Sequence, residues 1–195
     1  MKKLILSILF IICLPFQASA WNPMVVVSGA GAAIPDGELG DDTPQVSGQA
    51  AMVAGIWYFN TFSPTTSGNV RYIHFYTREN KAGTSSVCVG IWESVSANPL
   101  GYCTITWEDG NSAGWQECDI GGEINVTSAK ILGVQETSGV VDFYYSDDGT
   151  APLDHVDYDS SNAASCDGSD QLTDNGDVGT NRHLTIIINN TSGTP

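Results

Sequence analysis

Aspartate dominates the segment from Asp154 to Asp177, DHVDYDSSNAASCDGSDQLTDNGD, which holds seven aspartates and no lysine or arginine. Carboxylates, backbone carbonyls and water are the oxygen ligands that calcium prefers, and a loop rich in Asp and Gly can supply them. The candidate calcium ligands are Asp157, Asp159, Asp167 and Asp170. Their spacing does not fit the EF-hand loop, and a solvated acidic loop is the alternative interpretation.

Aromatic residues form the second group that could bind a ligand. An exposed ring can stack on the apolar face of a sugar while nearby polar groups bond its hydroxyls. Two tryptophans flank a turn-rich stretch, and the strand-like run RYIHFYT places a histidine between two tyrosines on one face. The candidate ligand-binding residues are Trp107, Trp115, Tyr72, His74 and Tyr76. Packing in the core is the alternative for each ring.

Catalysis is not indicated by the spacing of the nucleophilic or acidic residues. The residue types of a serine hydrolase are all present, but no nucleophile elbow or other local nucleophile signature is expected. Two carboxylates can hydrolyse a glycoside, but a chain with 22 acidic residues contains such pairs by chance. We therefore expect a protein that is not an enzyme.

Four cysteines follow the first 20 residues, an even number that predicts disulfides in an exported chain. Cys103 and Cys118 flank TITWEDGNSAGWQE, which consists of two strand-like runs around a turn-rich centre. Folding this stretch as a hairpin places the two cysteines opposite each other, within disulfide range. The remaining pair, Cys88 and Cys166, would then attach the acidic segment to the body of the domain.

The first 20 residues, MKKLILSILFIICLPFQASA, have the pattern of a secretory signal. As a helix, the apolar run of about 12 residues spans about 18 Å, which is too short for a membrane core of about 30 Å. We expect cleavage before Trp21 and a secreted product, extracellular or periplasmic. Loss of the two lysines changes the formal charge from −15 to −17, which disfavours nucleic acid and anionic lipid as partners.

The rest of the chain consists of short runs rich in Val, Ile, Tyr, Trp and Thr between clusters of Gly, Pro, Asn, Asp and Ser. This pattern predicts an all-β sandwich or barrel. Residues 21–46 are predicted to be an N-terminal arm, and residues 47–195 a single β-domain. The candidate strands are Met24–Val27, Ala50–Asn60, Asn69–Thr77, Ser86–Glu93, Leu100–Trp107, Trp115–Ile120, Ala129–Glu136, Val140–Tyr145 and His183–Asn189.

Between about Val46 and Asn190 the chain resembles the jelly-roll-like β-sandwich modules of exported bacterial surface proteins and glycan-active enzymes. The stretches that carry this resemblance are SPTTSGNVRYIHFYT, VCVGIWESVSANPLGYC, GWQECDI and INVTSAKILGVQETSGVVDFYYSDDG. The resemblance implies a single antiparallel β-sandwich of jelly-roll type with about eight or nine strands. A long acidic loop before the last strand and the four cysteines are departures from the family pattern.

These observations together predict a secreted, non-catalytic module that binds a glycan or surface polymer, with calcium as its candidate cofactor. The alternative is a structural subunit of an extracellular layer, appendage or matrix. In that case residues 21–46 would pair with the sheet edge of a neighbouring copy. A secreted hydrolase is the third hypothesis.

Overall fold

The computed structural model describes residues 36–41, 48–77, 84–107, 114–139, 142–145, 155–160, 165–180, 184–193 and 195. Within these ranges the chain is an all-β sandwich of two antiparallel sheets, which confirms the predicted fold class. A helix long and apolar enough to cross a membrane is not found in this part of the chain. The jelly-roll type implied by the resemblance remains a prediction.

Within the described ranges, thirteen strands make up the two sheets. In chain order they are β1 (Glu38–Gly40), β2 (Gly48–Ala51), β3 (Trp57–Phe62), β4 (Pro64–Thr66), β5 (Gly68–Thr77), β6 (Ser85–Trp92), β7 (Pro99–Trp107), β8 (Gly114–Val126), β9 (Lys130–Ser138), β10 (Asp142–Tyr145), β11 (His155–Asp159), β12 (Asp177–Thr180) and β13 (Ile186–Asn189). The first sheet has the order β2-β10-β5-β13-β1-β4, and β8 pairs with the remaining edge of β5. The second sheet has the order β12-β11-β3-β9-β6-β7.

The main core lies between the two sheets. Successive side chains of a strand point to opposite faces, so alternate residues in the second half of β5 enter this core. Ile73 and Phe75 pack there against valines and leucines of the second sheet, whereas His74 and Tyr76 lie on the outer face. The predicted division of β5 into a core face and an aromatic face is thus confirmed for these residues.

A second apolar cluster covers the outer face of the second sheet. It consists of Trp57, Phe59, Cys88, Trp92, Ile131 and Leu172. The two tryptophan rings meet edge to face with their centroids 4.9 Å apart. Because β6 is buried on both faces, its sequence from Val87 to Trp92 is continuously apolar. β9 is also largely buried on both faces, but it buries Gln135 and Glu136 beside its apolar residues.

Two glycines make room for the ring of Trp92 over the second sheet. Gly90 of β6 and Gly133 of β9 are cross-strand partners beneath this ring. A Cβ atom would lie 2.6 Å from the Trp92 ring at Gly90 and 3.2 Å from it at Gly133. The close approach of an aromatic ring therefore explains glycine in the interior of these two strands.

Both predicted disulfides are present, but one of them joins different elements from those expected. Cys103 and Cys118 are bonded with their Cα atoms 6.0 Å apart. The predicted hairpin is wrong, because β7 is hydrogen-bonded to β6 in the second sheet and β8 to β5 in the first. The bond therefore links the edges of the two sheets. Cys88 and Cys166 form the other disulfide, as predicted.

The acidic segment is only in part the long loop that was predicted, since its described residues 165–176 are irregular and mostly exposed but lie between two strands. It begins with β11, which pairs with β3, and its last residue begins β12. Between these strands, Leu172 is fully buried in the outer cluster and Cys166 is tethered to β6. The segment thus covers the outer face of the second sheet, because Leu172 and Cys166 pack there beside the two tryptophans.

The predicted N-terminal arm contributes to the sandwich. β1 lies inside the range 21–46, pairs with β13 and β4, and buries Leu39 completely. The predicted strand Ala50–Asn60 is split into β2 and β3, because Gly55 adopts a φ of 81° between them. The predicted strand Met24–Val27 lies outside the described residues.

Candidate functional site

The candidate site is a pocket of about 250 Å³ on the outer face of the first sheet. Its lining residues are His74, Trp115, Glu117, Ser192 and Gly193. The strand register assembles the site, since His74 of β5 is paired with Glu117 of β8. Two residues along the same ladder, Tyr76 is paired with Trp115, so these four side chains share one face of the sheet.

One wall of the pocket is aromatic. The rings of Trp115 and Tyr76 meet edge to face, with centroids 5.3 Å apart and an interplanar angle of 76°. Both residues are half-buried, so part of the aromatic surface faces solvent. A paired ring is held in one orientation, which makes it a suitable platform for a flat apolar surface of a ligand.

The floor of the pocket is the imidazole of His74, which is fully buried. Its Nε2 lies 3.1 Å from Asn189 Oδ1, an atom that also accepts a hydrogen bond from the backbone N–H of Thr191. Because Asn189 presents its oxygen, Nε2 of the imidazole is the donor. The other ring nitrogen, Nδ1, has no hydrogen-bond partner and lies 3.6 Å from Glu117 Oε2.

The rim of the pocket is formed by Glu117 and the chain that follows β13. Ser192 Oγ donates to Glu117 Oε1 at 2.9 Å, and the backbone N–H of Gly193 donates to Oε2. The side chain of Glu117 is nevertheless 30% exposed. One carboxylate therefore holds residues 192–193 over the buried histidine and still faces solvent.

Arg71 and Asp119 form an ion pair beside the pocket. The guanidinium donates from Nε and Nη2 to the two carboxylate oxygens at 2.9 and 2.7 Å. These bonds, with a further one from the N–H of Gly121, hold the pKa of Asp119 below its ordinary value. A β-bulge between Val70 and Tyr72 turns Arg71 out of the core face on which the simple alternation of β5 would place it. Its positive charge is therefore committed to Asp119.

The structure brings together part of the predicted ligand-binding set. His74 and Trp115 line the pocket, and Tyr76 supports the tryptophan ring. Tyr72 lies further along β5, with the Arg71 guanidinium 5.4 Å above its ring. Trp107 ends β7 in the second sheet, whereas Trp115 lies in β8 of the first sheet, and the side chain of Trp107 is outside the described residues.

Sequence reasoning missed three residues of the pocket. Glu117 follows Trp115 by two residues in a strand, so the period of two could have placed it on the same face. Ser192 and Gly193 carried no comparable signal, because their contacts with Glu117 span 75 and 76 residues.

The predicted calcium ligands do not form a common cluster where the structure describes them. The carboxylate of Asp159 is fully buried and accepts hydrogen bonds from Thr173 N at 2.7 Å and Asn175 Nδ2 at 3.1 Å. Asp167 accepts from the N–H of Ser169 at 2.8 Å, and this residue's hydrogen bonds lower the pKa of Asp167. Groups of three or more acidic, histidine or cysteine side chains that could hold a metal are absent from the described residues. The side chain of Asp157 lies outside them.

Asp170 is the fourth predicted ligand, and its carboxyl group has an unusual environment. Burial raises its pKa above the ordinary 3.8, and the charges of Asp167 and Asp159 add to this, while the N–H of Asp167 partly opposes it. The folded state therefore holds this proton more tightly than the unfolded chain does. Ionisation of Asp170 thus destabilises the fold at neutral pH, and this cost disappears as the pH falls through the folded pKa.

Replacing Asp170 with Asn is expected to raise the free energy of unfolding at neutral pH, and the gain should shrink as the pH falls toward the ordinary range of aspartate. Asn keeps an acceptor for the Asp167 N–H, so the change removes charge and little else. Urea denaturation at several pH values measures the effect. Asp174→Asn, an exposed site with the same charge change, is the control. An equal gain in the free energy of unfolding in both variants at every pH would contradict the raised pKa of Asp170.

The letters GxSxG of a nucleophile elbow occur at residues 110–114, GNSAG. A true elbow leads from a strand into a helix. Here the motif lies between β7 and β8, so a strand follows the serine. Its local context therefore differs from that of the hydrolases that use this motif.

Comparisons with protein-family models, curated proteins and solved structures find no match to this chain. The class that the fold defines is a disulfide-bonded antiparallel β-sandwich with a covered outer face on its second sheet. Any functional assignment has to come from the chemistry of the pocket on the first sheet.

Proposed function

We propose that the protein is a secreted, non-catalytic module that binds a glycan or another hydroxyl-rich surface polymer in the pocket between β5 and β8. The observation that carries this proposal is the half-buried Trp115, held by Tyr76 and placed beside the carboxylate of Glu117. An aromatic face with a few convergent polar groups is the usual composition of a small-ligand site. The ring would stack on a sugar, and Glu117 would accept bonds from its hydroxyls.

Secretion is supported by two independent features. The first 20 residues have the pattern of a signal for export. Two disulfides are typical of oxidising compartments and are rare in the cytosol. The alternative role as a structural subunit is less well supported, because β1 of the predicted arm pairs within the sheet of its own chain.

Replacing Trp115 with Ala is expected to weaken glycan binding by about tenfold or more, since about 1.4 kcal/mol of stacking is lost. A glycan array probed with the mature protein identifies the ligand, and calorimetry on the variants gives the affinities. Tyr102→Ala is the matched control, because Tyr102 is an exposed aromatic residue on the second sheet. A ligand whose affinity is unchanged by Trp115→Ala would contradict the proposed site.

Calcium remains a proposal for the acidic segment, and the same measurements can include it. The array and the melting curves are repeated in millimolar calcium and in chelator at matched ionic strength. Binding of calcium to the folded state alone would raise the melting temperature, by an amount that grows with the logarithm of the calcium concentration above Kd. Coincident curves would mean that the segment is held by its disulfide, its hydrogen bonds and Leu172 alone.

A further inference from the structure

Two hydrogen-bond acceptors face each other at the bottom of the pocket. Nε2 of His74 donates toward Asn189, so Nδ1 presents a lone pair in the form of the ring that carries one hydrogen. This nitrogen is buried, has no hydrogen-bond partner and lies 3.6 Å from Glu117 Oε2, which is also an acceptor. Two acceptors placed in this way can both be satisfied by a ligand group that has hydrogen-bond donors and no acceptors.

The charge around the pocket points to the sign of that group. Glu117 is the carboxylate of the lining, and Asp119 and Glu123 follow on the same strand. The guanidinium of Arg71, the one arginine within the described residues, is already bonded through two nitrogens to Asp119. Lysine and arginine are absent from the lining residues of the described chain. The site therefore disfavours acidic ligands and favours a cation.

The aromatic wall favours a cation in the same way. The face of a tryptophan or tyrosine ring attracts an ammonium group within about 6 Å of its centre. Trp115, which is held by Tyr76, lines the pocket next to Glu117. A carboxylate, a buried lone pair and an aromatic ring thus converge on one small volume, and these are the three partners that a primary ammonium group can use at once.

We propose that this pocket binds a primary ammonium group, and that the ligand is a glycan bearing free amino sugars. The inference rests on the proposed function and narrows its ligand class. Ser192 Oγ and the N–H of Gly193 now donate to Glu117, so the ammonium takes over contacts that the chain itself makes in this structure. The ammonium bonds Glu117 and His74 Nδ1, and the sugar ring stacks on Trp115.

Calorimetry at neutral pH and physiological ionic strength tests the inference with a β-1,4-linked glucosamine trimer. The probes for comparison are its N-acetylated form, a β-1,4-linked glucose trimer and Nα-acetyl-lysine amide. We expect the free amine to bind at least about tenfold more tightly than either neutral trimer, the effect of one charge-assisted hydrogen bond. In the Glu117→Gln variant, the affinity for the glucosamine trimer should fall to within about twofold of the affinity for the neutral trimers. Glu123→Gln, the same charge change on the same strand, should leave the preference intact.

Trp115→Leu is a second variant that removes the aromatic face and keeps Glu117, so the test does not depend on one substitution. This substitution should lower the affinity for the glucosamine trimer by about tenfold. Melting temperatures show that each variant is folded. Equal binding of amine and neutral trimers, or equal losses in Glu117→Gln and Glu123→Gln, would overturn the inference and leave the proposed function standing. Tighter binding of the lysine probe would overturn the choice of a glycan. If all the sugars fail to bind, both proposals fail.

Discussion

Replacing Cys88 and Cys166 together with Ala is expected to lower the free energy of unfolding by about 4.5 kcal/mol. The bond closes a chain segment with a sequence separation of 78, and the entropy of closing a loop of this length gives that estimate. Urea denaturation of the native and doubly substituted proteins measures the difference. Cys88 is also fully buried in the outer cluster, so the change loosens packing around both tryptophans.

The matched control is Cys103→Ala with Cys118→Ala, for which the separation of 15 gives a smaller loss of about 3 kcal/mol. Amide hydrogen exchange distinguishes the two variants, because only the first should accelerate exchange in residues 165–176 selectively. A loss no larger than that of the control, with unchanged exchange in this segment, would show that the disulfide does not hold the cover in place.

Replacing Trp92 with Ala is expected to cost about 3 to 5 kcal/mol, the range for removing a large buried aromatic side chain. Trp92 is fully buried, and its Nε1 donates to the backbone carbonyl of Asp170 at 2.8 Å. The ring also fills the space that Gly90 and Gly133 leave open, so its loss creates a cavity that the glycines cannot fill. Thermal and urea denaturation measure the effect.

Trp115→Ala provides the contrast within the same chain. Trp115 is half-buried and its packing is mainly with one other ring, so we expect a loss below about 1.5 kcal/mol. The two substitutions should therefore separate stability from ligand binding. A large loss of stability in Trp115→Ala, or a small one in Trp92→Ala, would reverse the structural and binding roles assigned to these residues.

The residues that could be predicted from the sequence are those whose pattern is local. Ile73 and Phe75 alternate with His74 and Tyr76, and this period of two placed each pair on the correct face. The all-β class followed from short β-branched and aromatic runs between turn residues. The pairing of Cys103 with Cys118 was also predicted correctly, although the hairpin on which that prediction rested is wrong.

The features that could not be predicted depend on contacts between distant parts of the chain. The sequence around Cys103 and Cys118 is equally compatible with a hairpin and with two strands that enter different sheets. Which occurs is decided by the partners β6 and β5. The short strands β1 and β4 contain polar residues, glycine or proline and form because neighbouring strands offer them hydrogen bonds.

The candidate calcium ligands, which stay a prediction, illustrate what the spacing of aspartates does not indicate. Asp159 was chosen for its place in an Asp-x-Asp pair, yet its buried carboxylate is satisfied by N–H groups of Thr173 and Asn175. A carboxylate that accepts such bonds can be buried without a cation. The donors lie 14 and 16 residues further along the chain, and nothing in the spacing of the aspartates indicates them.

The bond between Cys103 and Cys118 also has a mechanical consequence. It joins β7, an edge strand of the second sheet, to β8, the strand beside β5 in the first. A pulling force that peels one sheet from the other meets a covalent link along this edge. Separation of the sheets must therefore start at another edge, and the two sheets then rotate apart about the edge that carries this disulfide.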